Sequence, residues 1–157
     1  MHNPLNPTRN RAIAVGHLRA FEAVAHHLNF SAAAEICDHA PGGYAPDCRR
    51  SLGRDASGWY RDVEKAVRYC GYGNATYRPD CIRGMSAEVV LYYFSPTAGI
   101  EACKLVPEGD KSVCYHEAAL QGRGMVGPER MGQVCDLADV GHVNDCRQGA
   151  GLGALGA

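Results

Sequence analysis

Small and apolar residues return along this chain at a fixed interval. Cysteines stand at positions 37, 48, 70, 81, 103, 114, 135 and 146, so the gaps alternate 11, 22, 11, 22, 11, 21, 11 and the pattern recurs after 33, 33 and 32 residues. A period of this size marks arrays in which each unit is one supersecondary element that cannot bury its apolar face alone. Four places before the first cysteine of each pair stand Ala33, Ala66 and Gly99, small as close helix packing requires; the last unit shifts this position to Gly132. Each unit reads as two helices. Pro46-Asp47-Cys48 and Pro79-Asp80-Cys81 predict helix starts, with proline in the first turn and Asp facing the positive end of the dipole. Asn144-Asp145-Cys146 keeps the Asp, whereas Ser112-Val113-Cys114 has lost it. Breakers precede these starts at Ala40-Pro41-Gly42-Gly43, Gly71-Tyr72-Gly73-Asn74, Pro107-Glu108-Gly109-Asp110 and Val140-Gly141. A second turn per unit is expected at Ser57-Gly58, Ser95-Pro96 and Gly127-Pro128, ahead of helical runs such as Arg61 to Val67.

The ends differ from the units between them. Ser31 before Ala32-Ala33-Ala34-Glu35 reads as a helix cap, so residues 11–39 are expected to form a capping hairpin without its own leading cysteine. Residues 1–10 read as a flexible N-terminus and 149–157 as a flexible Gly/Ala tail, because each interior glycine costs a helix about 1 kcal/mol against alanine. The helical-repeat domain then covers 11–148, with repeats starting near Cys48, Cys81 and Cys114.

Composition narrows the class. The chain has 157 residues, 46% of them apolar, enough for a core, which excludes a wholly disordered chain. Lys and Arg number 16 against 17 Asp and Glu, and no basic run exceeds Arg49-Arg50, so nothing advertises electrostatic capture of nucleic acid or an anionic membrane. Charge divides along the chain, however: residues 1–85 carry a net +3 and residues 86–157 a net −4. No stretch approaches the ~18 apolar residues of a spanning helix, and the first 30 residues lack the compact apolar segment of a signal peptide.

Phase selects the pairing of the eight cysteines. Bridges within the 11-residue gaps (37–48, 70–81, 103–114, 135–146) use every thiol, whereas bridges across the long gaps strand Cys37 and Cys146. Each bridge would join the last turns of one helix to the first turn of its antiparallel neighbour. Zinc fits poorly, since no C-x2-C occurs, and redox catalysis lacks its C-x-x-C. Such staples point to an oxidising compartment, periplasmic or secreted. With no signal peptide visible, the expectation is a mature form, a fragment or a misassigned start.

Two resemblances follow. Tyr60-Arg61-Asp62-Val63-Glu64-Lys65-Ala66-Val67-Arg68-Tyr69 resembles the second half of a Sel-like or tetratricopeptide repeat. The cysteine-rich Sel-like proteins of bacteria are similar in kind. That resemblance implies exported helical-hairpin arrays with one disulfide per unit, serving as interaction scaffolds. Their cysteine spacing is shorter than the C-x10-C here. Separately, the stretch from Leu18 to Glu35 resembles the first two helices of a LysR-type winged helix-turn-helix, which implies a DNA-binding regulator through residues 18–50. Where such a protein places its recognition helix, this chain has Ala40-Pro41-Gly42-Gly43 and then Pro46, with Arg49 and Arg50 as the cations available to phosphate.

No catalytic constellation is legible. His17, His26 and His27 lack an H-E-x-x-H or carboxylate spacing, His116-Glu117 lacks a third group to orient a base, and Gly122-Arg123-Gly124 lacks the lysine and strand of a phosphate loop. Asn74-Ala75-Thr76 is a glycosylation acceptor by sequence. No catalytic residue, metal ligand or cofactor is assigned. The aromatic residues are more informative: Trp59, Tyr60, Tyr92 and Tyr93 are the candidate partner-binding residues, and the doublet Tyr92-Tyr93 cannot place both rings on one buried helix face. Together these observations predict an all-α fold, a right-handed α-solenoid of helical hairpins with repeats of about 33 residues and one disulfide each. The expected role is a non-enzymatic protein-protein interaction or scaffold module, exported, with a protein or peptide partner. A LysR-like regulator and an enzyme whose site is not readable from sequence stand as alternatives.

Overall fold

A computed structural model describes residues 29–156, apart from the side chains of Trp59 and Tyr60. The expected elements within residues 1–28 therefore lie outside the described residues. Among those described there are eight α-helices and no strand: α1 (Phe30–Asp38), α2 (Ala45–Tyr60), α3 (Val63–Cys70), α4 (Arg78–Tyr93), α5 (Pro96–Cys103), α6 (Glu108–Val126), α7 (Pro128–Cys135) and α8 (Val143–Gly149). Short 3-10 turns at Pro41–Gly43, Ala75–Tyr77 and Val140–His142 precede α2, α4 and α8. Helices α1, α3, α5 and α7 each end on, or one residue beyond, a cysteine, and in each the cysteine stands seven residues after the first helical residue.

Local chemistry accounts for most helix starts. Pro46 and Pro79 fill the first turns of α2 and α4, with Asp47 and Asp80 beside the helix dipole, as the sequence predicts. Ser95 caps α5 by accepting from Ala98 N, and Pro128 opens α7. Two expectations are corrected. Ser31 is not the cap of α1: Asn29 is, accepting a hydrogen bond from Ala32 N at 3.1 Å, which leaves Ser31 inside the helix. Ser57-Gly58 is not a turn but part of α2, which runs on to Tyr60; the chain reverses at Arg61, and Asp62 caps α3 through Lys65 N.

Alternate helices stack in order, α2 on α4, α4 on α6 and α6 on α8, and α3, α5 and α7 each wedge between the helix before and the helix after. Glycine sets the closest approaches. A Cβ on Gly84 would land on the carbonyl of Arg50, one on Gly53 would land on that of Cys81, and one on Gly149 would meet that of His116. Thus α2 and α4 meet backbone to backbone from both sides, and Gly149, assigned by sequence to the tail, is a buried contact of α8 on α6. The residues that follow make defined contacts: Ala150 is buried, Arg147 Nε donates to Gly153 O at 2.7 Å, and Leu155 N donates to Asn144 Oδ1 at 2.9 Å.

The small-residue position is also redistributed. Ala33, Ala66 and Gly99 are buried, but in α7 the equivalent place is held by buried Met131, and Gly132 is only half-buried. The volume is exchanged across the interface: Gly99 receives Val90, whereas Met131 packs over Gly122, where a Cβ would come within 3.2 Å of its sulfur. Around these contacts a continuous core includes Phe30, Leu52, Ile82, Met85, Ile100 and all eight cysteines.

Candidate functional site

The cysteines pair 37–48, 70–81, 103–114 and 135–146, with Cα separations of 5.3 to 5.6 Å, and each bridge ties the end of one helix to the first turns of the next. None is free. In three of the four pairs the residue after the second cysteine then reaches forward. Arg49, fully buried, donates through Nη2 to the carbonyls of Cys70 (3.3 Å) and Tyr72 (2.5 Å), closing the C-terminal end of α3. Tyr115 OH donates to Asp139 Oδ2 at 3.0 Å, and Arg147 holds Gly153; Ile82 at the same place is buried and apolar. Sequence reading offered Arg49 and Arg50 as phosphate contacts. Arg49 has no exposed surface, and Arg50 is paired with the buried Glu117 carboxylate of α6.

Titratable groups gather at the head of α6 and the turn before α8. Lys111 Nζ lies 2.5 Å from Asp139 Oδ2, and His142 stands between Glu108 Oε1 (2.8 Å from Nε2) and Asp145 Oδ2 (2.7 Å from Nδ1), its ring stacked on Tyr115 at 5.6 Å. Burial pushes the Tyr115 phenol up to about 12. The Lys111 ammonium holds the Asp139 carboxyl below its ordinary value. These groups satisfy one another, and among the described residues no three His, Cys, Asp or Glu side chains are arranged to hold a metal ion. Of the other motifs, His116-Glu117 is split, since Glu117 is buried with Arg50 and Gln121 while the His116 carbonyl faces Gly149. Gly122-Arg123-Gly124 lies within α6, not in a phosphate loop, and Asn74 forms an Asx turn with Thr76 N at 2.9 Å. His17, His26 and His27 lie outside the described residues.

The aromatic candidates form a surface feature. Tyr92 and Tyr93 end α4 with both rings in solvent, 45% and 52% exposed, meeting edge to face at 5.0 Å. The Arg61 guanidinium lies 4.9 Å from the Tyr92 ring centroid. Leu91 and Phe94 extend the shelf, Phe94 being 78% exposed. Trp59 and Tyr60 end α2, and their side chains lie outside the described residues. By sequence Phe94 belongs to the aromatic cluster with Tyr92 and Tyr93 but not to the candidate contacts, and Arg61 is not singled out as one. The available signal was phase: Arg61 and Phe94 stand 33 residues apart, and 33 further on is Gly127, a residue type that marks a left-handed backbone position.

No described helix is long and apolar enough to cross a membrane. Comparison with protein-family models, curated proteins and solved structures finds no match.

Proposed function

We propose that the chain is a non-enzymatic interaction module of an oxidising, extracytoplasmic compartment. In this reading it is a right-handed α-solenoid whose units of about 33 residues each carry one disulfide, and it binds a protein or peptide partner on the shelf formed by Tyr92, Tyr93 and Phe94. The observation that carries the reading is Phe94. Its backbone is left-handed, φ 49° and ψ 41°, a conformation that costs an L-residue about 1–2 kcal/mol and that glycine takes freely. Its ring is also the most exposed aromatic side chain among the described residues. A bulky apolar residue that adds strain and gains little burial within its own chain has a rationale as a contact to another molecule. The flanking tyrosines supply large contact area with few rotatable bonds. Four buried disulfides support the compartment. The burial of Arg49 and the pairing of Arg50 weigh against a helix-turn-helix role.

The test is site-specific photo-crosslinking in the native host, with the crosslinking residue at position 94 and, as control, at exposed position 112 of α6. A discrete adduct from position 94 that disappears in Tyr92→Ala/Tyr93→Ala, with thermal stability unchanged, is expected. No adduct, or the same adducts from both positions, overturns the shelf as a binding surface.

A further inference from the structure

We propose that the turn between α7 and α8 is a pH-operated latch, in which the His142 ring bridges Glu108 at the head of α6 and Asp145 on α8, holding the turn down in mildly acidic solution and releasing it in alkaline solution. Geometry makes the argument. Both ring nitrogens lie at hydrogen-bond distance from carboxylate oxygens, 2.8 Å to Glu108 Oε1 and 2.7 Å to Asp145 Oδ2. A neutral imidazole has one N–H, so one of the two contacts would set a ring lone pair against a carboxylate lone pair. Only the imidazolium satisfies both.

The surroundings reinforce that form. The ring contacts Glu108 and the Tyr115 ring of α6 and Asp145 of α8, while Lys111 of α6 pairs with Glu108 and with Asp139 of the turn. Two carboxylates thus flank the imidazole directly. Burial works against the charge, but the hydrogen bonds to Glu108 and Asp145 outweigh it and hold the imidazole above its ordinary 6.5. The hydrogen bond from His142 in turn draws the Glu108 carboxyl below its ordinary value, keeping the acceptor ionised in mild acid.

Because the folded state raises the histidine's affinity for its proton, the latch contributes fully below the ordinary value and is lost as pH rises through the folded one. The turn's other tethers do not titrate near neutrality: Lys111 is held above its ordinary value by Asp139, and Tyr115 ionises only near 12. His142 is therefore the one variable among these contacts between mild acid and mild alkali. The turn it controls presents two exposed apolar side chains, Leu137 and Val140, so release alters an apolar patch on the surface.

The oxidised full chain is titrated by NMR with imidazole resonances assigned, and backbone amide exchange is compared at pH 6 and pH 8.5 after correction for intrinsic rates. The expected results are a His142 midpoint above that of the histidines in the denatured chain, and exchange over 139–145 about 3- to 5-fold faster in alkali while α4 is unchanged. His142→Gln should abolish the pH dependence. Glu108→Gln and Asp145→Asn should each lower the His142 midpoint, and they carry the test if His142→Gln does not fold. A His142 midpoint equal to that of the denatured chain, or pH-dependent exchange persisting in His142→Gln, overturns the latch.

Discussion

Arg61 and Phe94 occupy the same place in successive hairpins, and both take a left-handed backbone, φ 50° and φ 49°, where α2 and α4 end. The third such turn uses Gly127, with φ 76° and ψ 168°. That one residue both ends α6 and precedes α7, where the earlier turns use two, Arg61-Asp62 and Phe94-Ser95, which accounts for the shorter last period. The backbone asks for glycine three times and receives it once. Arg61 gains a stacking contact with Tyr92, whereas Phe94 points into solvent.

Phe94→Gly should therefore stabilise the fold by about 0.5–1 kcal/mol, the relief of left-handed strain less the extra freedom glycine gives the unfolded chain. Arg61→Gly should gain less, because the cation–π contact is lost with the side chain. Urea unfolding of the oxidised proteins measures both. A Phe94→Gly variant less stable than Arg61→Gly would mean that the phenylalanine is held by contacts within its own chain.

The two kinds of helical glycine should respond in opposite directions. In α4, Gly84→Ala places a methyl on the carbonyl of Arg50, and the two helix backbones must separate, at a cost of about 3 kcal/mol or more. In α6, Gly124→Ala meets open space and should stabilise by about 0.5–1 kcal/mol through helix propensity. Thermal midpoints moving the same way in both variants would remove the backbone-contact account of α2 against α4.

Buried Arg49 should be costly to remove and partly recoverable. Its Nη2 closes the carbonyls of Cys70 and Tyr72, while its Nε lies 3.7 Å from Asp38 Oδ1. Arg49→Met leaves two carbonyls and a nearly buried carboxylate without their cation, and a loss of about 3–5 kcal/mol is expected. Adding Asp38→Asn removes the stranded charge and should restore part of that stability, since Asn74 N, which donates to Asp38 Oδ2 at 2.5 Å, retains an acceptor. Simple additivity of the two losses in a double-mutant cycle would show that the residues act independently.

What the sequence made legible was local and periodic. The disulfide register followed from phase, and Pro46, Pro79, Ser95 and Pro128 marked helix starts because capping and first-turn chemistry depend on a few neighbouring residues. What failed depended on a partner element. Gly58 reads as a breaker by itself, yet within α2 it faces Glu88 of α4, and a glycine is a contact or a flaw only once the opposing helix is known. Met131 shares this reason: its size is tolerated because Gly122 lies beneath it. On the shelf, Tyr92 and Tyr93 were found as a doublet that cannot bury both rings, but Phe94 required knowing that α4 ends at Tyr93. His142 meets Glu108 across 34 residues, close to one period, and only the loop geometry brings them together.

Alkaline solution should expose the Tyr115 contact. The phenol is fully buried, donates to Asp139 Oδ2, and ionises only near 12, against 10.0 when unperturbed. The folded state thus holds this proton more tightly than the unfolded chain does. The stabilisation is complete below pH 10, and it declines as pH rises from 10 towards 12, because the unfolded chain can ionise there and the folded one resists. Tyr115→Phe removes the titrating group, so its stability should be lower at pH 8 by about 1–2 kcal/mol, the loss of the bond to Asp139 Oδ2 and of the one accepted from Asp139 N, but flatter between pH 10 and 12. Guanidinium unfolding at pH 8, 10 and 11, on protein whose disulfides are verified intact at each pH, makes the comparison. Parallel curves for the two proteins would show that the Tyr115 hydroxyl is free to ionise, and the bond to Asp139 would then not be what holds the turn before α8 against α6.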